Sequence, residues 1–366
     1  MKIFLVGGAV RDELLGRPIH EKDWVVVGGT PEDMLKKGYQ PVGKDFPVFL
    51  HPRTKEEYAL ARTERKTGKG YKGFHFYTSP DVSLSEDLIR RDLTINAMAK
   101  DAETGELFDP YHGQHDLEKK LLRHVSPAFA EDPVRILRVA RFASQLPEFH
   151  VDNETNELMK SMVVAGEVDA LVAERVWKEL SRALIAEAPA RFFEVLQHCR
   201  ALTVLFPELK SDQFNLSLLQ YATTLSNDAT VRFAVLLHDL SQKDIQSIGN
   251  RFRVPREFAE LATLTSKYYL TYRDLNTKDP KAMLDLLKSV DALRRPERFD
   301  LWLTSCNAIV KTINHRAILF EALMAIKNVD VQSLIEKNYQ GKAMADALYQ
   351  LQLDELNKTI CQHRDK

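Results

Sequence analysis

The chain is short of cysteine, of net charge and of long apolar runs, and each shortage removes a class of protein. Its three cysteines, Cys199, Cys306 and Cys361, lie far apart among 366 residues. They make neither a disulfide framework nor a zinc-ligand pattern, so a reducing, cytoplasmic setting is expected. No apolar stretch approaches the roughly 18 residues needed to span a bilayer. Lys2 is followed by only Ile3 to Val6 before two glycines, too little for a secretory leader. Lysine and arginine total 51 against 52 aspartates and glutamates, a formal net charge of -1. Any nucleic-acid binding must then rest on local basic patches. Internal repeats and low-complexity segments are missing too. What is present, 44% hydrophobic and 28% charged residues, is ordinary globular chain with material for two to four domains.

The hydrophobic pattern changes partway along. Residues 1 to about 125 alternate short β-type runs with helical pieces and hold most of the glycine. Expected strands are residues 2–6, 24–27, 46–51, 57–61 and 74–77. From Asp132 onward the period is 3.6 almost throughout, as in residues 134–142, 173–186 and 191–196. Breaks are expected at Pro147, Pro189, Pro207, Pro255, Pro280 and Pro296. This reads as an α/β head followed by an all-helical remainder.

The first 28 residues carry the earliest chemical signal. An apolar run ends at Gly7-Gly8, and Val10 to Leu15 then has helical spacing with Arg11 and Asp12 on its exposed side. Such a turn leaves unshielded backbone N–H groups at a helix start, which suits a phosphate, although a plain strand–helix turn reads the same way. Glu21 and Asp23 lead into the β-branched run 24–27. Residues at i and i+2 of a strand share a face, so two carboxylates are aimed together. Their repulsion is relieved by a divalent cation, and oxygen ligands beside a phosphate suit magnesium.

The run L-V-G-G-A-V-R-D-x-L-L-G followed by an acidic pair resembles the signature of class II tRNA nucleotidyltransferases, the bacterial CCA-adding enzymes. These belong to the superfamily of DNA polymerase beta. The family pattern has aspartate at both metal positions, whereas this chain has Glu21 at the first. The resemblance implies an α+β protein: a nucleotidyltransferase head at residues 1–125, a helical neck at 126–207, and a helical body and tail at 208–366. It implies Mg2+ held by Glu21 and Asp23, with Glu57 as an additional carboxylate, and pyrophosphate steadied by Gly8, Arg11 and Arg91. The sequence Arg90-Arg91-Asp92-Leu93-Thr94-Ile95-Asn96-Ala97-Met98-Ala99 matches the family's second motif, which grips ribose and triphosphate. Arg91 offers paired donors to phosphate, and Asp92 and Asn96 can bond sugar hydroxyls. The basic stretch 62–72, RTERKTGKGYK, corresponds to a flexible arm that the family needs for the final A. Residues 109–125 match a third motif, read as structural.

The stretch Glu131-Asp132-Pro133-Val134-Arg135-Ile136-Leu137-Arg138-Val139-Ala140-Arg141-Phe142 can be read as a capped helix with surface arginines. Spacing adds more: Asp132 and Arg135 lie three apart, and Arg138 and Arg141 extend a positive stripe. Cytosine and adenine both present an amino donor beside a ring-nitrogen acceptor, and guanine and uracil the reverse. A carboxylate beside a guanidinium can therefore accept C and A and refuse G and U. EDxxRxLRxxRF is the family's nucleotide-selection motif. The resemblance implies that Asp132 and Arg135 read the base while Arg138 and Arg141 help hold the nucleotide.

Further on, residues 173–180, AERVWKEL, resemble a fifth motif, in which Trp177 and Leu180 are assigned to packing. His238-Asp239 resembles the metal-dependent HD site of longer relatives, but the accompanying histidines are missing, so the pair is expected to pack or cap. The expected function is addition and repair of the tRNA 3′-terminal CCA from CTP and ATP, without a template, with release of pyrophosphate. The expected partners are the tRNA 3′ end and the two nucleotides, with neither a membrane nor an obligate protein partner. The nearest rival is a poly(A) polymerase-like enzyme, whose basic G-R-R-F-R segment is replaced here by residues 42–47. A non-catalytic RNA-binding relative is the rival from another class.

Overall fold

The computed structural model describes residues 1–42, 48–66, 74–209 and 213–364. These divide into two compact units, Met1–Pro207 and Glu208–Lys366.

The first unit opens with β1 (Lys2–Val6), α1 (Gly8–Leu14), β2 (Asp23–Val27) and α2 (Pro31–Lys36). It continues with β3 (Gln40–Val42), β4 (Val48–Leu50), β5 (Glu57–Leu60), β6 (Arg62–Lys66) and β7 (Phe74–Thr78). Next come α3 (Leu84–Leu88), β8 (Ala99–Asp101), β9 (Leu107–Phe108), α4 (Gly113–Glu118) and β10 (Leu121–Leu122). Seven strands form one sheet in the order β3-β4-β5-β2-β1-β8-β9. β1 runs antiparallel to β2 and β8, while β2 runs parallel to β5. Successive side chains of β2 serve opposite faces, as a pleated strand requires. Val25 joins Val6, Leu88 and Ala97 in one core, and Val26 joins Met34, Phe49 and Leu60 in another. Asp23 shares the Val25 face by the same period. Two short helices are set by reciprocal caps, Thr30 with Asp33 and Ser83 with Glu86.

The same unit continues with α5 (Val134–Gln145), β11 (His150–Val151), α6 (Asn153–Val164), α7 (Ala173–Leu184), α8 (Ala190–His198) and α9 (Ala201–Leu205). The expectation of an all-helical remainder needs one amendment, because β11 pairs in parallel with β10. The strand list also grows. Residues 62–66, expected inside a loop, form β6 and pair antiparallel with β7, while 67–73 lie outside the described residues. The 46–51 expectation narrows to β4, with 43–47 also outside. Period-two signals fail on strands this short, and β3, β8 and β9 are two or three residues long.

The second unit is helical: α10 (Gln213–Ala222), α11 (Ala229–Leu236), α12 (Gln242–Phe252), α13 (Arg256–Arg273) and α14 (Pro280–Ser289). It closes with α15 (Pro296–Val310), α16 (Arg316–Lys327), α17 (Gln332–Glu336) and α18 (Gly341–Arg364). Pro280 and Pro296 open helices, where proline's missing N–H costs nothing. Trp302, Tyr272, Phe299 and Phe233 fill its core. His238 packs there too: its ring lies edge-on to Tyr269 and its Nδ1 is 2.8 Å from the Val235 carbonyl. No described helix is long and apolar enough to cross a membrane.

One glycine locks the region under the cleft. Asp109 accepts the Gly113 and Gln114 N–H groups, starting α4, and Thr94 donates to Asp116 at 2.7 Å. A Cβ on Gly113 would stand 2.4 Å from the Thr94 carbonyl oxygen and 2.8 Å from Met98. Gly113→Ala should therefore destabilise the first unit by about 2–3 kcal/mol in urea denaturation. Gly249→Ala is the control: a Cβ there meets nothing within 4 Å on α12, and it should stabilise its unit by about 0.5–1 kcal/mol.

Candidate functional site

A cleft of about 910 Å³ runs through the first unit. Its walls come from the β1–α1 turn, β2, β5, residues 90–96, α5 and α7. All the residues expected to hold nucleotide or metal line it: Gly8, Arg11, Glu21, Asp23, Glu57, Arg91, Asp92, Asn96, Asp132, Arg135, Arg138 and Arg141.

The turn after β1 is glycine for two reasons. Gly7 adopts φ 73°, and a Cβ there would lie 3.0 Å from a terminal nitrogen of Arg91. A Cβ here would press on the guanidinium, in a backbone conformation that already strains an L side chain. On the cleft floor, β2 and β5 set Asp23 directly opposite Glu57. Glu21 lies just before β2 rather than in it, because the strand begins at Asp23. It still faces the same cleft. Partial loss of hydration pushes the Asp23 carboxyl up; Arg91 pulls it back, and the Glu21 charge adds to the rise.

Above the floor the residues form a bonded network. Asp92 accepts the Leu93 N–H at 2.8 Å, the Asn96 amide at 3.1 Å and Arg138 Nε at 2.6 Å. Burial acts to raise its pKa and is the largest single influence. The Arg138 charge and these hydrogen bonds together outweigh it, and Asp92 is held below the usual carboxylate range. Arg11, expected on an exposed helix side, is 8% exposed. It donates to Asp12 and, at 2.8 Å, to Asn96, so it is tied to the second motif. Arg141 is equally enclosed, bonded to Glu179 and to Gln145. Arg11, Arg138 and Arg141 all sit over one ring, Phe142, at 5.2, 5.5 and 4.2 Å.

Asp132 and Arg135 are neighbours through a backbone bond, the Arg135 N–H donating to the Asp132 carbonyl at 3.0 Å, and their side chains take other partners. Asp132 accepts the Val134 N–H at 3.1 Å, capping the start of α5, and is gripped by Arg175 at 3.1 and 2.7 Å. Arg135 donates to the carbonyls of Ala128 and Arg90, at 2.7 and 2.6 Å. Both still face the cleft. Arg175 and Glu179 are the residues that sequence reasoning passed over. They are four apart on α7, hence on one helix face, and that spacing marks them as partners for charges on α5. Leu180 is core, as expected, whereas Trp177 is only partly covered.

Comparisons with known proteins follow this geometry. Profiles described as "Poly A polymerase head domain" and "Probable RNA and SrmB- binding site of polymerase A" match residues 3–123 and 148–213. The chain is 54% identical over 361 residues to the CCA-adding enzyme of Coxiella burnetii strain RSA 493, covering 98% of this chain and 96% of that one. It is 50% identical over 355 residues to the CCA-adding enzyme of Pseudomonas putida strain F1, covering 95% and 96%. A solved apo CCA-adding enzyme matches with TM-score 0.74 at 22% identity, covering 99% of this chain and 91% of that one. The Thermotoga maritima CCA-adding enzyme complexed with tRNA gives 0.71 at 20%, covering 98% and 87%. At such identities the structural likeness speaks for the fold alone.

The bond between Arg138 and Asp92 supplies a test. Arg138→Ala leaves a buried carboxylate without its cation and should cost about 2–3 kcal/mol at neutral pH. Because Asp92 is depressed in the parent, its contribution is present above the ordinary carboxylate pKa and is lost as pH falls through the folded value. The difference between parent and variant should therefore shrink in acid, as read by denaturation at several pH values.

Proposed function

We propose, from the premise that the chain belongs to the CCA-adding enzyme family, that this cleft adds C, C and A to the 3′ end of tRNA. It does so without a template, using CTP and ATP and releasing pyrophosphate. One observation supports the assignment of residues: all twelve candidates for holding nucleotide or metal line one cleft.

The donor set suits a hard divalent cation. Glu21, Asp23 and Glu57 bring carboxylate oxygens to the cleft floor, and a cation would relieve the raised carboxyl of Asp23. Among the described residues no three acidic, histidine or cysteine side chains close into a finished cage. A cation here would complete its shell with water and nucleotide oxygens, which is the habit of Mg2+. Glu21 and Asp23 would hold it, with Glu57 beside them, and when bound it supplies charge neutralisation at the phosphates and a more acidic tRNA hydroxyl.

The chain's own groups do the rest. Backbone N–H groups at Gly8 and the Arg91 guanidinium receive the triphosphate. Asp92 and Asn96, fixed by Arg138 and Arg11, meet the sugar hydroxyls. The tRNA 3′-hydroxyl oxygen attacks the α-phosphorus, a new P–O bond forms, and the bond to the β-phosphate breaks. Asp132 accepts the exocyclic amino group shared by cytosine and adenine through Oδ2, which holds one bond from Arg175 and keeps a second lone pair, while Oδ1 is already taken by Val134 and Arg175. Arg135 donates to the neighbouring ring nitrogen. A cytoplasmic setting accords with the buried free thiols of Cys199 and Cys306.

Two substitutions test this. Asp23→Ala should abolish incorporation of both labelled CMP and AMP while leaving tRNA affinity, read by filter binding, nearly intact; a substantial residual rate would remove the metal assignment. Asp132→Ala should slow CTP and ATP together. The CTP-to-UTP ratio should fall roughly 10- to 100-fold, the worth of one charge-assisted hydrogen bond of about 1.5–3 kcal/mol. An unchanged ratio would make α5 a scaffold only.

A further inference from the structure

Asp87, on α3, is 0% exposed and does not line the cleft, yet three parts of the site meet on its carboxylate. One oxygen accepts the Arg62 backbone N–H at 3.2 Å, where β6 begins, and Arg90 Nε and NH2 at 3.3 and 2.8 Å. The Arg90 carbonyl in turn receives Arg135 at 2.6 Å. The other oxygen stands 3.5 Å from Arg91 NH2 and makes no hydrogen bond, and Arg91 Nε is buried without one as well. The Arg91 side chain is therefore aimed by charge, with Asp87 behind it and Gly7 in front.

A carboxylate is costly to bury, and an asparagine of the same shape could still accept from Arg62 and Arg90. What asparagine could not do is oppose the charge of Arg91. We infer that Asp87 is a positioning residue of the nucleotide site: it orients Arg91 toward the triphosphate and, through Arg90, fixes the carbonyl that seats Arg135. This rests on the reading of the cleft given above. CTP and ATP carry the same triphosphate, so the loss of Asp87 should weaken both alike.

The experiment is steady-state kinetics on the full chain, with tRNA lacking CCA for CTP and tRNA ending in CC for ATP. Asp87→Asn should raise KM for both nucleotides about tenfold while kcat changes less than about threefold, because a contact held in ground and transition states is weakened. Asp87→Glu keeps the charge but displaces it, and should give a smaller rise. Circular dichroism and melting establish that each variant is folded. A folded Asp87→Asn with KM within about twofold of the parent would overturn the inference, as would the failure of both variants to fold, which would make Asp87 purely structural. A parent that incorporates no CMP would instead remove the functional reading, and this inference with it.

Discussion

An aspartate and an arginine 46 residues apart in sequence hold the cleft together. Asp92 follows α3 and Arg138 lies on α5, and their 2.6 Å bond fixes one segment against the other. Without it a buried carboxylate would lose its cation, and α5 would lose one of the bonds that tie it to the segment below, the others being those of Arg135 to the Arg90 and Ala128 carbonyls. Asn96 and Arg11 extend the same network back to the glycine turn. Position is what a displacement at phosphorus requires most of a protein, since little covalent chemistry is left for it to do.

The arrangement also gathers charge that a near-neutral chain does not offer overall. Three guanidiniums share the face and rim of Phe142, and Arg91 and Arg135 stand nearby. Like charges so close are tolerable because Asp12, Asp92 and Glu179 each take one of the three. Asp132 is bonded to Arg175 in the same manner. Asp12, Asp92 and Asp132 line the cleft with the arginines they bond, and the glycine turn beside them carries no side chain. A triphosphate bound as proposed would meet donors already held in place, with little ordering entropy left to oppose it.

Much of this was legible in the sequence, because motifs are local. The two-part fold, the glycine turn, the acidic pair and the α5 helix all follow from spacing within a dozen residues. What was not legible is pairing across long separations. Spacing placed Asp132 and Arg135 side by side but could not show what holds each: Asp132 is bonded to Arg175, 43 residues away, and Arg135 to backbone carbonyls. Arg11 read as exposed because helix periodicity cannot know what packs above it. Glu21 read as part of a strand, but β2 begins at Asp23. Asp87 gave a local hint, an acid three and four residues before two arginines, whose weight shows only once its complete burial is seen.

The central claim is that fixed side chains, with no nucleic-acid template, choose C and A and stop after three additions. The direct measurement is to incubate the unaltered chain with a tRNA that ends just before its CCA and with all four nucleoside triphosphates together. The extended 3′ ends are then sequenced. The account predicts products ending in C-C-A and no further growth, with U and G rare at every position. A long run of A, or an RNA left unextended, would contradict it.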